Sequence, residues 1–170
     1  MRTFGVAIEV PEPYAEVLRA TRADAGDPEA HTNPPHVTVV APVSIDPDEM
    51  VAVEEHLAEA LRDVGPFRMR LRGTGTFRPV TPVVFVAVAD GIGICEEVER
   101  RVRCGPLALE LRFPYHPHVT IAAEVDDAAL DRAFEALALF EAEFLVDAVK
   151  LYELADSGWT LSRSYPLGSG

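Results

Sequence analysis

Pro35-His36-Val37-Thr38-Val39 returns 82 residues along the chain as Pro117-His118-Val119-Thr120-Ile121. Each copy is a β-branched run opened by a proline, which reads as a strand entered from a turn. Working outward, Phe4-Gly5-Val6-Ala7-Ile8-Glu9 finds its counterpart in Phe85-Val86-Ala87-Val88-Ala89-Asp90, displaced by 81 residues. Two independent pairs of segments with offsets that agree within one residue indicate an internal duplication.

Helical spacing fills the gaps between these strands. Residues 12 to 22, with Tyr14, Val17 and Leu18, and residues 92 to 102, with Ile94, Val98 and Val102, each predict an amphipathic helix. Asp46-Pro47-Asp48-Glu49 supplies a cap, a proline at the first helical position and an acid, ahead of Met50, Val53, Leu57, Leu61 and Val64. Asp126-Asp127 plays the same part before Leu130, Phe134 and Leu137. Further strands are expected over 67–72, 143–152 and 158–165, and alternation of Leu107, Leu109, Leu111 and Phe113 predicts one more. The expected architecture is α+β: a bilobal, pseudo-two-fold duplication of a β-α-β-α-β unit, with antiparallel sheets around a central cleft. All 170 residues form one domain, with repeats at about 1–80 and 81–170. The Gly73-to-Pro79 turn joins them, and residues 23 to 35 are expected to form a loose loop.

The charge balance limits the partners. Fifteen basic against 28 acidic side chains give a net charge of −13, a field that repels polyanions, so no long nucleic acid is expected as a partner. No apolar run approaches the ~20 residues of a membrane-spanning helix. The N-terminal segment has no apolar stretch resembling a signal peptide, and a cytoplasmic location is expected. Two cysteines, Cys95 and Cys104, make neither a disulfide framework nor a zinc site, and both are expected to be buried or half-buried thiols.

In a strand, side chains two residues apart share a face, so His36 projects with Thr38 and His118 with Thr120. Placed on one cleft, the four groups suit a phosphoryl group. Cleavage of a phosphodiester needs a base for the entering oxygen, an acid for the leaving one, and donors for the non-bridging oxygens. Two imidazoles with ordinary pKa near 6.5 and two hydroxyls supply all of these without a metal or other cofactor. With five histidines and nine threonines in the chain, chance gives about 0.26 His-x-Thr matches. Two matches at equivalent points of a repeat carry correspondingly more weight.

These paired motifs resemble those of the 2H phosphoesterases, the 2′-5′ RNA ligase-like or cyclic phosphodiesterase superfamily. The segment from Phe77 through Phe113-Pro114-Tyr115-His116-Pro117-His118-Val119-Thr120 looks most like a bacterial branch of it. The resemblance implies metal-independent cleavage of 2′,3′-cyclic or 2′-5′ phosphodiesters, with His36 and His118 as the acid/base pair and Thr38 and Thr120 as phosphate binders. It departs from the family pattern after the second motif, where an arginine common among ligase-like members is replaced by Ala and Glu at Ala122-Ala123-Glu124. The expected substrate is therefore a small nucleotide or short oligonucleotide, and the expected state a monomer. Two alternatives stand beside this: a non-catalytic nucleotide or phosphate sensor on the same fold, and 2′-5′ RNA ligase-like activity.

Arg78 follows the glycine-rich turn and is a candidate phosphate contact; Phe77 and Tyr115 are candidates for stacking on a base. The alternation of Arg68, Arg70 and Arg72 reads as a solvated face paired to acids on the next strand. His116 is expected to support its neighbours, because Pro117 disfavours a shared metal face with His118. His31 and His56 are expected in solvent, and Trp159 in the core.

Overall fold

A computed structural model describes residues 1–168. Its elements run β1 (Arg2–Glu9), α1 (Tyr14–Asp24), β2 (His36–Ile45), α2 (Met50–Leu61), β3 (Phe67–Thr76), β4 (Val83–Asp90), α3 (Ile92–Val102), β5 (His118–Ala123), α4 (Asp127–Ala136), β6 (Glu141–Val146), β7 (Ala148–Ala155) and β8 (Gly158–Pro166). The described strands form one antiparallel sheet in the order β6-β3-β4-β5-β2-β1-β7-β8.

The sheet is curled. β6 and β7 are joined through Asp147 alone, so their ends stand no more than about 7.6 Å apart, since consecutive Cα atoms are 3.8 Å apart. In a flat sheet the six strand spacings between them would span about 29 Å. The segment expected as one strand over 143–152 is consequently two strands far apart in the sheet order, β6 at one edge and β7 next to the opposite edge strand β8. The expected alternating strand at 107–113 is absent among the described residues. Leu107 is buried, but Leu111 and Phe113 are exposed. β4 and β2 already flank β5, so the strand this segment leads into has no open side for it to pair with.

The halves of the sheet do not follow the halves of the sequence. β3 joins β4 and β5, while β7 and β8 join β1 and β2. Helices cross over as well: α1 packs against β5 and α4, and α3 against β2 and α2. The expected repeats at about 1–80 and 81–170 therefore do not each fold on their own half of the sheet.

Alternation along the strands separates a core side from a cleft side. Phe4, Val6 and Ile8, with Val37, Val39, Val119 and Ile121, pack against Leu18, Val53, Leu57, Val98 and Leu130 of the helices. Burying each such side chain contributes roughly 1.5–3 kcal/mol, which makes this layer the main stabilising term. Leu18, Val98 and Val102 are buried as expected, but the rest of each helix face differs. Val17 and Ile94 lie exposed, while Arg22 of α1 and Cys95 and Glu99 of α3 are buried. The Asp46 and Asp126 carboxylates accept backbone N–H groups as the caps require, from Asp48 and Ala129.

On β3 the arginine stripe meets acids across the ladder. Arg70 reaches Glu141 at 2.8 Å and Arg68 reaches Glu143 at 3.3 Å. No helix among the described residues is long and apolar enough to cross a membrane.

Candidate active site

β2 and β5 touch at the centre of the sheet, where Val37 pairs with Val119. Antiparallel counting from that pair sets His36 beside Thr120 and Thr38 beside His118. Directly opposed side chains have Cβ atoms about 4.5–5.5 Å apart, so all four groups share one small patch of the cleft side. The paired registers of β1 and β4 add Glu9 beside His36, Ala7 beside Thr38 and Phe85 beside Thr120.

Both histidines are held in the same way. His36 Nδ1 donates to the Pro34 carbonyl at 2.7 Å, and His118 Nδ1 donates to the His116 carbonyl at 2.6 Å. A carbonyl only accepts, so the neutral ring carries its proton on Nδ1 and keeps the Nε2 lone pair for chemistry. The proline between each pair matters: it fixes its own φ and holds the preceding residue extended. This repeated Pro-His arrangement is the local reason why the two rings match.

Burial pushes the pKa of both imidazoles below the ordinary value. At His36 the Arg22 cation adds to this, against the opposing Pro34 carbonyl and Glu29 carboxylate. Around His118 the hydrogen bond to the His116 carbonyl opposes burial, and the neighbouring His116 and His36 rings add to the lowering. Its surroundings are aromatic. Phe77 meets the His118 ring edge-to-face with centroids 5.0 Å apart, Phe85 lies at 5.3 Å and exposed His116 at 5.8 Å.

A cleft of about 290 Å³ is lined by His36, Thr38 and Thr120 and by Arg22, Glu29 and Asn33, whereas His118 lies beside it among Phe77, Phe85 and His116 and is not one of its lining residues. Gly5, Val40, Pro42, Tyr152 and Trp159 also line it. Of these residues the sequence reading placed only His36, Thr38 and Thr120 on the cleft, and it put Trp159 in the core. Trp159 lies against the glycine face of β1, where a Cβ on Gly5 would meet its ring at 3.6 Å, so it walls the cleft rather than closing the core. Arg22 is a charged residue on the buried face of a helix, which is the one sequence signal it offers.

The remaining candidates fall elsewhere. Arg78 is tied to Asp131 at 2.9 Å and Asp127 at 3.6 Å and borders a separate shallow pocket with Pro79 and Pro82. Tyr115 is not among the residues lining the cleft; its hydroxyl donates to the Thr38 carbonyl at 2.6 Å, and burial holds its pKa above the ordinary phenol value. His56 is not solvated as expected but contacts the Val102 carbonyl at 2.9 Å. The loop at 23–35 is anchored by buried Asp27 rather than loose. Cys95 is buried, its thiol pushed up to about 12, whereas Cys104 is exposed. Among the described residues no three His, Cys, Asp or Glu side chains are grouped to hold a metal ion.

The curled antiparallel sheet thus brings two histidines and two threonines together on one face. The sequence profile of the 2′-5′ RNA ligase superfamily matches residues 10–158, and the chain belongs to that superfamily. A Halalkalibacterium halodurans protein called a "putative phosphoesterase" is 26% identical over 168 residues, covering 97% of each chain. A Bacillus pumilus protein of the same description is 28% identical over 145 residues, covering 84% of each. Escherichia coli LigT complexed with 3′-AMP superposes with a TM-score of 0.72 at 18% identity, covering 98% of each chain. A Thermus thermophilus structure, TT0787, gives 0.62 at 24% over the same coverage. These likenesses establish the fold.

Proposed function

We propose that the chain is a metal-independent phosphodiesterase that opens 2′,3′-cyclic phosphates or cleaves 2′-5′ linked nucleotides through its two histidines. The observation that carries this reading is the matched pair of Nδ1–carbonyl clamps at His36 and His118, which leaves two Nε2 atoms as proton acceptor and donor on one strand face. The superfamily, the relatives described as phosphoesterases and the nucleotide-bound LigT structure support it.

The step balances as follows. Water adds to phosphorus while one imidazole, neutral at Nε2, takes the water proton. A bridging P–O bond breaks, and the other imidazole, protonated at Nε2, delivers its proton to the departing oxygen. Thr38 and Thr120 hydroxyls donate to the non-bridging oxygens, where charge gathers. Each acid or base contributes about 10²- to 10⁴-fold.

The test is turnover of 2′,3′-cyclic AMP by the purified chain in EDTA. Replacing His36 or His118 with Ala should each lower kcat by about 10²-fold or more. Two single variants that turn over like the parent would overturn the assignment.

A further inference from the structure

α1 belongs to the first repeat but packs on the second, against β5 and α4. Its residue Arg22 therefore reaches the cleft from outside the strands that carry the histidines. Only 6% of Arg22 is exposed, and a guanidinium so placed requires partners. Nε donates to Asp27 Oδ2 at 2.8 Å; that oxygen also accepts the Ala123 N–H at 3.0 Å, and Oδ1 accepts the Glu29 N–H at 2.9 Å. Buried Asp27 is thus a bracket that fixes the guanidinium against the end of β5.

The bracket engages Nε and leaves the far edge open. Among the described residues Nη1 has no hydrogen-bond partner, and Nη2 has only the Glu29 carboxylate at 3.5 Å, a loose pair with a side chain 51% exposed. Arg22 lines the cleft together with His36, Thr120 and Ala123, and it is the only Arg or Lys among the described residues that does so. Its charge reaches His36, whose protonation it opposes.

We infer that the Nη edge of Arg22 is the anion-holding group of this site, taking a non-bridging phosphoryl oxygen beside the Thr120 hydroxyl, and that the Glu29 carboxylate occupies this edge until substrate displaces it. The inference rests on the phosphodiester reading of the cleft. A guanidinium offers a rigid fork matched to two oxygens, whereas an ammonium offers a point charge. Exposed Glu29, held besides by a 3.5 Å contact from Asn33 Nδ2, is free to swing away.

Calorimetry with inorganic phosphate tests this on the parent, Glu29→Gln and Arg22→Lys, with thermal melts confirming the fold. Glu29→Gln removes a like charge and should bind phosphate about threefold to tenfold more tightly, while Arg22→Lys should bind about tenfold more weakly or worse. Unchanged affinity in Glu29→Gln, or in a folded Arg22→Lys, overturns the inference; if Arg22→Lys fails to fold, Glu29→Gln decides alone. Turnover of 2′,3′-cyclic AMP by the parent separates the two claims. A parent without turnover whose variants shift phosphate affinity as expected overturns the phosphodiesterase and keeps the anion site. Turnover with unshifted affinities keeps the enzyme and overturns the role of Arg22.

Discussion

The Tyr115 hydroxyl donates to the Thr38 carbonyl oxygen at 2.6 Å, tying the segment that leads into β5 to the backbone of β2 at the first His-x-Thr motif. The bond spans 77 residues of sequence and locks one motif to the approach of the other. Tyr115→Phe keeps the ring and removes the tie. A net hydrogen bond contributes about 1 kcal/mol, so the melting temperature should fall by about 2–4 °C in a chain this size. Turnover should fall more than for an equally destabilising substitution on α2 such as Leu57→Val; equal losses would make the bond purely structural.

The pH profile of kcat/KM follows from the two depressed histidine pKa values. One imidazole must be neutral and the other protonated, and in the free protein both lose their protons below the ordinary 6.5. The bell should therefore peak on the acid side of about 6.5 and decline through neutrality as the general acid empties. A rate profile over the acid-to-alkaline range, peaking above neutrality, would contradict it.

Linkage gives a second pH effect with its own sign. Because the folded pKa values lie below the unfolded one, the unfolded chain binds more protons in that interval. The stability contributed by the neutral rings is complete above the unfolded value of about 6.5 and is lost as pH falls through the folded values. Denaturant unfolding at successive pH values should show this slope in the parent and a smaller one in His36→Asn.

Trp159 and Gly5 predict a selectivity effect. A base stacked on an aromatic ring gains about 1–3 kcal/mol, so Trp159→Ala should weaken binding of adenosine 3′-monophosphate by roughly tenfold. Binding of ribose 2′,3′-cyclic phosphate, which has no base, should change little. Equal losses for both ligands would place the ring outside the base contact.

Gly75 tests the aromatic surroundings of His118. A Cβ there would come within 2.6 Å of the Phe85 ring, which itself borders the imidazole. Gly75→Ala should cost about 1–3 kcal/mol in overpacking and shift the His118 imidazole signal in nuclear magnetic resonance. An unmoved His118 signal would show that the strain relaxes elsewhere.

Much of this was legible in the linear order of residues. The duplicated Pro-His-x-Thr runs, the caps at Asp46 and Asp126 and the helical spacings are local patterns, governed by backbone sterics and by the two periodicities of strand and helix. The same locality explains the misreadings. Alternation at Leu107 to Phe113 matches a strand, yet pairing requires an open side, and β5, the strand this segment leads into, is flanked by β4 and β2. Trp159 looked like core because apolar surface says nothing about which side of a sheet faces a cleft.

By itself the sequence determined most of the helices and strands and the identity of His36, Thr38, His118 and Thr120 as candidate chemistry, since these depend on neighbours a few positions away. Only the tertiary structure decided that the repeats do not each fold on their own half of the sheet, that Arg78 turns to α4 acids, and that Arg22 of one repeat stands by Thr120 of the other. The physical reason is that strand order and helix packing are set by long-range burial and edge pairing, which bring together residues that no local pattern relates.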